Sequence, residues 1–562
     1  MSKAADLSER PALNRGELVW SAAIYALCAL ALLPIATLIV LALSPADNIW
    51  PHLLSTVLPR AVRTSMLLMA GVGVLTAVVG TLTAWLVTMC RFPGSRLFEW
   101  LLLAPLAVPT YITAYCYVEV FDYTGPIQSA LRAAFGWQSA ADYTFFDIRS
   151  LGGAIFVMTA VLYPYVYLTA RASFLAQSVC MIDVSRTLGR SPYETFFRVA
   201  LPLARPALMA GVTLALMETV NDIGAVEFLG VRTLTVSVYT TWLGRGNLAG
   251  AAQLAGVLFI FVCLLIWVER MSRHQQRFHQ TTSKYQPLPS YALGGWRGAA
   301  AVLACSLPIL LGFAVPLSVL LRAALARFDQ IVAVDFLSHA ANSILLSALA
   351  AMITVSAALV LVYARRLLRA RLLHMVTWLA TIGYAVPGTV LAIGLLVPLA
   401  GFDNVVDGWM RTTFGISTGL LLSGSIAIIV FAYSVRFLAI AHGAIEAGLG
   451  KVSPHLAFAA RTLGRSPGGT LTEIYLPMIR PALVAAALLV FVDGMKELPA
   501  TILLRPFNFE TLATHVYSFA SLERFEDAAW PALAIVLVGL VPVAWLNRTA
   551  QFAFRSKAQS KD

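Results

Sequence analysis

Charged side chains are scarce in this chain of 562 residues. Asp, Glu, Lys and Arg together make up 12% of it, whereas hydrophobic residues make up 59%. Ordinary soluble domains carry roughly 25% charged residues. With a mean hydropathy of +0.79, the chain has too little polar surface to cover the core that it would enclose. A water-soluble protein is therefore excluded, and lipid is the expected solvent.

Several motifs are also missing. No G-x-x-x-x-G-K-[ST] occurs, so the chain has no P-loop for ATP, and no H-E-x-x-H occurs for zinc. The eight histidines are scattered. The cysteines lie in or beside apolar runs without C-x-x-C spacing, which indicates packing residues rather than disulfides or a metal site. We expect no catalytic site, no firmly assigned metal site and no cofactor bound by this chain.

Long apolar runs are what the sequence does have. A bilayer core needs about 20 apolar residues per helix, and ten runs between charges pass this test. Two further runs begin at Pro206 and Pro481 and meet an acid after twelve residues, at Glu218 and Asp493. The sequence thus predicts an all-α membrane protein of about twelve spans. The ten uninterrupted runs are 18–46, 64–90, 100–118, 150–170, 246–268, 298–321, 340–364, 375–402, 412–435 and 528–547.

The net charge of +12 has to be tested against loop topology. Lys and Arg in short loops stay on the cytoplasmic side of a membrane. Four arginines crowd residues 365–371, and the segment 269–297 is also basic, whereas the loop 403–411 has two acids and one base. With twelve spans, the basic loops and both termini fall on one side. We expect cytoplasmic termini, contact with lipid and no nucleic-acid partner.

An internal repeat predicts the architecture. The segment Arg-Thr-Leu-Gly-Arg-Ser-Pro occurs unchanged at 186–192 and 461–467, and the blocks 201–208 and 476–483 are similar. Both pairs are separated by the same 275 residues. Six spans per repeat place the two halves the same way up. We predict a first half at 1–280, a polar linker at 281–295 and a second half at 296–562.

Each repeated segment is predicted to be a helix, a break and a second helix. Gly189 and Gly464 can adopt the left-handed conformation that ends a helix. A Ser-Pro pair then supplies an N-cap and a proline in the first turn. The Leu-Pro pairs that contain Pro202 and Pro477 are expected to end this surface piece and to begin the next span.

These residues resemble the EAA loop of binding-protein-dependent ABC importer permeases, E-A-A-x-x-x-G-x9-I-x-L-P. The first copy departs from the family glutamate with Asp183, and the second with Phe458. The resemblance implies coupling loops at 183–202 and 458–477 that seat in an ATP-binding subunit. The residues to which it assigns coupling are Asp183, Ser185, Arg186, Gly189, Pro202, Ala459, Ala460, Arg461, Gly464 and Pro477.

The fused two-half layout and the segments 493–500, 504–509 and 511–517 resemble the permeases of ferric-iron importers. That resemblance implies a bacterial inner-membrane permease that works by alternating access, with ATP and magnesium on two copies of a cytoplasmic ATP-binding subunit. It also implies an extracytoplasmic binding protein that delivers ferric iron, free or chelated.

Four acids at membrane depth are candidates for the translocation pathway. Glu218 and Asp222 stand four residues apart, and Asp493 and Glu497 repeat that spacing 275 residues later. Ionisable groups in a span are costly unless they face water or a partner. Carboxylates also suit hard cations. The alternative is structural, because Lys496 adjoins Glu497 and the acids can form ion pairs or interfacial contacts.

Three other functions remain open from the sequence. The same architecture could import thiamine, a phosphonate or a polyamine. A proton-coupled secondary transporter would need no ATP-binding subunit. A membrane-embedded enzyme that uses the paired acids would leave the duplicated cytoplasmic loop unexplained.

Overall fold

The computed structural model of the chain describes residues 15–43, 49–176, 187, 189, 191–273, 291–328, 334–368, 371–453 and 455–559. Their regular structure is helical apart from one short parallel pair of strands, β1 (Cys90–Arg91) and β2 (Tyr291–Ala292). Most of the predicted linker, 281–290, lies outside the described residues.

The α-helices before the linker are α1 (Arg15–Leu43), α2 (Trp50–His52), α3 (Leu58–Met89), α4 (Ser95–Leu101), α5 (Thr110–Phe121), α6 (Pro126–Phe135), α7 (Leu151–Ala176), α8 (Pro192–Thr195), α9 (Leu201–Asn221), α10 (Gly224–Phe228), α11 (Leu234–Tyr239) and α12 (Leu248–Arg273). Those after it are α13 (Gly295–Ile309), α14 (Val315–Ala326), α15 (Val334–Leu368), α16 (Arg371–Ala380), α17 (Gly388–Phe414), α18 (Ile426–Gly450), α19 (His455–Thr462), α20 (Pro467–Thr470), α21 (Leu476–Met495), α22 (Pro499–Leu504), α23 (Leu512–Ser521) and α24 (Ala529–Gln559).

Short turns of other helical types interrupt or join these helices. The π-helical turns are Leu53–Val57, Phe196–Ala200, Thr240–Gly244, Leu310–Ala314 and Leu471–Tyr475. The 3₁₀ turns are Ala104–Ala107, Ala140–Asp142, Thr381–Ala385 and Phe525–Ala528.

The predicted membrane spans are present. Within the described residues, eleven helical segments are long and apolar enough to cross a bilayer, and Ser95–Ala107 with Thr110–Phe135, bent by 91°, would make a twelfth. The predicted all-α fold of about twelve spans is confirmed.

Two spans lie away from their predicted places. The run 375–402 is interrupted by the 3₁₀ turn Thr381–Ala385, and the helix long enough to cross the membrane is α17, Gly388–Phe414. The run 412–435 was expected to cross the membrane, but the helix there is α18, Ile426–Gly450. Helix α17 continues through the charged residues to Phe414 because its acids bind the following loop. Asp407 accepts hydrogen bonds from the backbone amides of Thr418 at 2.8 Å and Gly419 at 3.0 Å.

The chain divides into two compact units. Unit 1 comprises Met1–Thr37, Leu345–Val386 and Gly394–Gly494, and unit 2 comprises Leu38–Ile344, Pro387–Ile393 and Met495–Asp562. Each unit contains one copy of the repeated segment. The halves predicted from the repeat stay a prediction.

In unit 1 the first helix of the chain packs among helices of the second repeat. A Cβ added at Gly394 of α17 would lie 2.2 Å from the Pro34 carbonyl oxygen of α1. The ring centroids of Trp20 and Tyr363 are 5.1 Å apart, and those of Tyr363 and Tyr475 are 5.7 Å apart. Close backbone approach and aromatic contacts therefore hold α1 in this unit.

In unit 2, helix α7 packs closely against α3 and α9. A Cβ added at Gly80 of α3 would lie 2.8 Å from the backbone nitrogen of Tyr167 on α7. A Cβ added at Gly211 of α9 would lie 2.8 Å from the Cα of Val166, also on α7. Small residues at such positions allow membrane helices to approach closely. This packing fixes α9, which follows the first repeated segment.

Candidate functional site: the repeated segments and the acids beyond them

The second repeated segment, in unit 1, has the predicted helix, break and helix. Helix α19 ends at Thr462, and Gly464, two residues later, has a φ of +77°. The Arg465 amide donates to the Ala460 carbonyl at 3.0 Å, as in a Schellman cap. The Ser466 hydroxyl then accepts from the Gly469 amide at 3.1 Å at the start of α20. The predicted left-handed glycine and serine cap are confirmed here.

The described part of the first repeated segment, in unit 2, has the same left-handed glycine and serine cap. Gly189 has a φ of +74°. The Ser191 hydroxyl accepts from the Glu194 amide at 3.3 Å, while the Ser191 amide donates to the Glu194 carboxylate at 3.2 Å. This reciprocal pair is a capping box. Asp183, Ser185 and Arg186 lie outside the described residues.

The Leu-Pro pairs do not end the surface helices as the sequence suggested. One continuous helical segment runs over Tyr193–Asn221, and another over Pro467–Met495. A π-helical turn precedes each pair, and the Leu201 amide donates to the Phe196 carbonyl. The wider turn moves the carbonyls with which a mid-helix proline ring would clash. Pro202 and Pro477 therefore lie inside helices that connect the repeated segments directly to spans.

The surface of the second segment is apolar in part. Phe458 is 50% exposed and Leu463 is 81% exposed. Ala459 is exposed and Ala460 is buried, and Arg461 lies on the same helix, α19. An aromatic residue at the family glutamate position thus faces outward.

Two side chains of α15 contact the residues before the second segment and the start of α20 within it, all in unit 1. The Arg366 guanidinium donates to the carbonyls of Leu449 at 2.6 Å and Val452 at 2.7 Å. The Tyr363 hydroxyl donates to the Pro467 carbonyl at 2.6 Å. These contacts fix the end of α18 before the segment and the start of α20 within it.

Two of the four candidate acids are helix caps. Asp222 is 8% exposed and accepts from the amides of Ala225 at 2.9 Å and Val226 at 3.2 Å, and from the Thr110 hydroxyl. Glu497 is 4% exposed and accepts from the amides of Ala500 and Thr501. Each carboxylate therefore stabilises the first turn of a short helix.

The other two candidate acids lie one turn earlier. Glu218 on α9 and Asp493 on α21 are half-buried. The pathway role proposed for all four acids stays a prediction. Among the described residues, no group of three or more His, Cys, Asp or Glu side chains is placed to hold a metal ion.

Sequence reasoning missed a group of oxygen atoms in unit 2, on the short helices beyond the spans. The Tyr517 hydroxyl donates to the Glu227 carboxylate at 2.5 Å, and its oxygen lies 3.4 Å from the Tyr239 hydroxyl. Burial raises the pKa of the Glu227 carboxyl, and the hydrogen bond from Tyr517 partly offsets this. The residues come from α10, α11 and α23, so no local spacing in the sequence could have indicated the group.

Comparison with known proteins now identifies the family. Residues 76–277 match the model of the "Binding-protein-dependent transport system inner membrane component". The chain is also 27% identical over 86% of its length to the Fe(3+)-transport system permease protein FbpB 2 of Haemophilus influenzae, of which it covers 89%. The chain belongs to the binding-protein-dependent ABC importer permeases.

Other relatives of this permease match a smaller part of it. The molybdenum transport system permease protein ModB of Escherichia coli is 28% identical over 35% of the chain, with 86% of ModB covered. The sulfate transport system permease protein CysT of Escherichia coli is 28% identical over 36% of the chain, with 70% of CysT covered. All three relatives are named as transport system permease proteins, and this chain is likewise a multi-pass membrane protein.

Proposed function

We propose that this permease imports ferric iron across a bacterial inner membrane, with cargo delivered by an extracytoplasmic binding protein. The observation that carries the proposal is the extent of similarity. The ferric relative matches 86% of the chain, whereas the molybdenum and sulfate relatives match 35% and 36%. The similarity to a ferric permease therefore extends over both copies of the repeated segment.

The motor is proposed to be two copies of a cytoplasmic ATP-binding subunit, one for each repeated segment. Both segments have the same left-handed glycine and capped helix start. Both continue into a span without a break. Because a continuous helix transmits displacement along its axis, movement of a docked segment would move the span attached to it.

The residues proposed to couple ATP hydrolysis to transport are those of the two loops. ATP and magnesium would reside on the partner subunits, and this chain would bind no cofactor. The proposed orientation places both termini and both repeated segments in the cytoplasm. The helices α10, α11, α22 and α23 follow the far ends of the spans and would then lie on the outer side.

The test is transport in proteoliposomes that contain the permease, its ATP-binding subunit and its binding protein. We expect ATP-dependent uptake of radioactive iron, supplied as a ferric chelate, that excess molybdate, sulfate, thiamine, phosphonate or polyamine does not reduce. Uptake of one of those compounds instead of iron would contradict the cargo. Uptake driven by a proton gradient without the ATP-binding subunit would contradict the mechanism.

A further inference from the structure

The oxygen atoms of Glu227, Tyr239 and Tyr517 meet on the helices beyond the spans of unit 2, and we name these three residues the oxygen triad. The Tyr517 oxygen lies 2.5 Å from the Glu227 carboxylate and 3.4 Å from the Tyr239 oxygen. All three side chains are half-buried rather than enclosed. One carboxylate and two phenols therefore meet where each side chain keeps part of its surface exposed.

Hydrogen bonds hold the triad helices in place. Helix α10, which carries Glu227, is capped by Asp222. Helix α11 is capped by Thr233, and its Leu234 amide donates to the Ser65 hydroxyl at 2.9 Å. A site whose donors lie on fixed helices loses little conformational entropy when a ligand binds.

The third helix of the triad, α23, is held in the same way. Thr511 and Thr514 form a reciprocal cap at its start. The Leu512 amide donates to the Ser343 hydroxyl at 2.7 Å. Tyr517 is thus presented from an element anchored to α15.

Two further tyrosines, Tyr115 and Tyr111, follow one another from Phe228, the residue next to Glu227. The Tyr115 ring packs against Phe228, next to Glu227, with centroids 4.5 Å apart, and the Tyr111 ring is 6.0 Å from that of Tyr115. Tyr111 is only 4% exposed, yet its hydroxyl has no hydrogen-bond partner among the described residues. A buried polar atom without a partner is costly and marks a place where an oxygen atom is free to bind a ligand.

The donor set fits a hard trivalent cation. Carboxylate and phenolate oxygens are hard donors, in contrast to the thiolates that select soft metals. One carboxylate and two phenols carry at most one negative charge before the cation arrives. The carboxylate attracts the cation, and return of protons to the two phenol oxygens would release it, as a conduction pathway requires.

We propose that the oxygen triad is a transient ferric-ion site on the outer side of the permease, between the binding protein and the spans. This inference rests on the proposed import of iron. On binding, the O–H bonds of Tyr239 and Tyr517 break, two iron–oxygen bonds form and two protons pass to water. The iron stays ferric throughout, and water completes its coordination.

The experiment titrates the purified full-length permease with ferric nitrilotriacetate and records visible absorption. A tyrosinate bound to ferric iron absorbs visible light by charge transfer, which neither carboxylate nor water ligands produce. We expect the band in the wild type, a weaker band in Tyr239→Phe and Tyr517→Phe, and none in the double variant. Tyr123→Phe, which removes an exposed phenol on a different segment, is the matched control and should keep the band.

Transport is measured with the same variants in proteoliposomes. Loss of an outer-shell partner of a metal costs about 10- to 100-fold in affinity or activity, so loss of a direct donor should lower iron uptake by at least about tenfold. Glu227→Gln keeps an acceptor for Tyr517 but removes the charge, and it should lower uptake even if the phenylalanine variants fold poorly.

The two proposals fail in different ways. If the wild type imports iron, but shows no charge-transfer band and the double variant transports normally, the triad is a structural hydrogen bond and this inference is wrong. If the wild type imports no iron at all, the proposed cargo is wrong. The proposed ferric site at the triad is then wrong as well, because it rests on that cargo.

Discussion

Asp222 and Glu497 stand 275 residues apart and occupy equivalent places, each accepting hydrogen bonds from the backbone amides three and four residues ahead. Both carboxylates are buried. Each sits where a span ends and a short helix begins, so each satisfies amides that would otherwise lack partners. The repeat therefore conserves a capping acid between its two copies.

Substitution of Asp222 can separate a capping role from a pathway charge. Asn keeps the acceptor oxygen and caps helices about as well as Asp, so Asp222→Asn should unfold at nearly the wild-type temperature. Asp222→Ala leaves two amides unsatisfied and should lower the free energy of unfolding by about 1 to 2 kcal/mol. The measurement is thermal and denaturant unfolding in detergent.

Iron uptake by the same two variants tests whether the charge of Asp222 serves translocation. Normal uptake by Asp222→Asn would mean that Asp222 acts only as a helix cap. If Asp222→Asn stays fully stable and uptake still falls about tenfold or more, the charge itself serves translocation, as the sequence suggested. Glu497→Ala provides an independent test of the cap in the second copy; Glu497→Gln would keep only one of the two amide bonds, because they go to different carboxylate oxygens.

The left-handed glycines of the repeated segments offer a test of coupling. Gly189 and Gly464 have φ values of +74° and +77°, and a Cβ added at either one would meet nothing within 4 Å. A substitution therefore acts through backbone conformation alone. A left-handed L-residue costs about 1 to 2 kcal/mol, and a β-branched residue is especially unsuited to it.

We expect the double variant Gly189→Val and Gly464→Val to hydrolyse ATP while iron uptake falls about tenfold or more, since each 1.4 kcal/mol is a factor of ten in an equilibrium. The matched control replaces both glycines with Asn, which tolerates the left-handed region, and should transport close to normally. Wild-type uptake in the valine variant would contradict the coupling role.

Much of the fold could be predicted from the sequence because membrane spans are set by length and hydropathy. The repeat also pointed to Gly189 and Gly464. Their left-handed conformation could be predicted because glycine, which has no Cβ, adopts it without steric cost. The position of α18 could not be predicted, since Asp403 and Asp407 look like loop residues until the following loop is seen to bind them. Capping by Asp222 and the meeting of Glu227 with Tyr517 both depend on three-dimensional placement that a linear pattern does not contain.

Two side chains of α15 should govern how firmly the second repeated segment is held. Tyr363→Phe removes the hydrogen bond to the Pro467 carbonyl but keeps the ring that packs on Trp20. Arg366→Lys keeps the charge but replaces a guanidinium that reaches two carbonyls with an ammonium of different geometry. The double variant loses about two hydrogen bonds, each worth about 0.5 to 1.5 kcal/mol.

We expect less iron imported per ATP hydrolysed in that double variant, with the permease still folded and inserted. Arg480→Lys, an exposed arginine on α21, is the control for a general effect of the substitution. The ratio of iron uptake to phosphate release measures coupling directly. An unchanged ratio would show that these contacts stabilise unit 1 without setting the position of the segment.

The packing of α1 against α17 in unit 1 depends on Gly394. Its added Cβ would lie 2.2 Å from the Pro34 carbonyl oxygen, a backbone atom that cannot rotate away. Gly394→Ala must therefore push the helices apart, and overpacking of this kind costs about 1 to 3 kcal/mol.

Gly401 lies two turns later on α17, and its added Cβ would meet nothing within 4 Å. Gly401→Ala should be neutral or should stabilise by about 0.5 to 1 kcal/mol, because alanine is the better helix former. Unfolding of both variants in detergent gives the comparison, and equal stability of the two would mean that α1 does not approach α17 so closely.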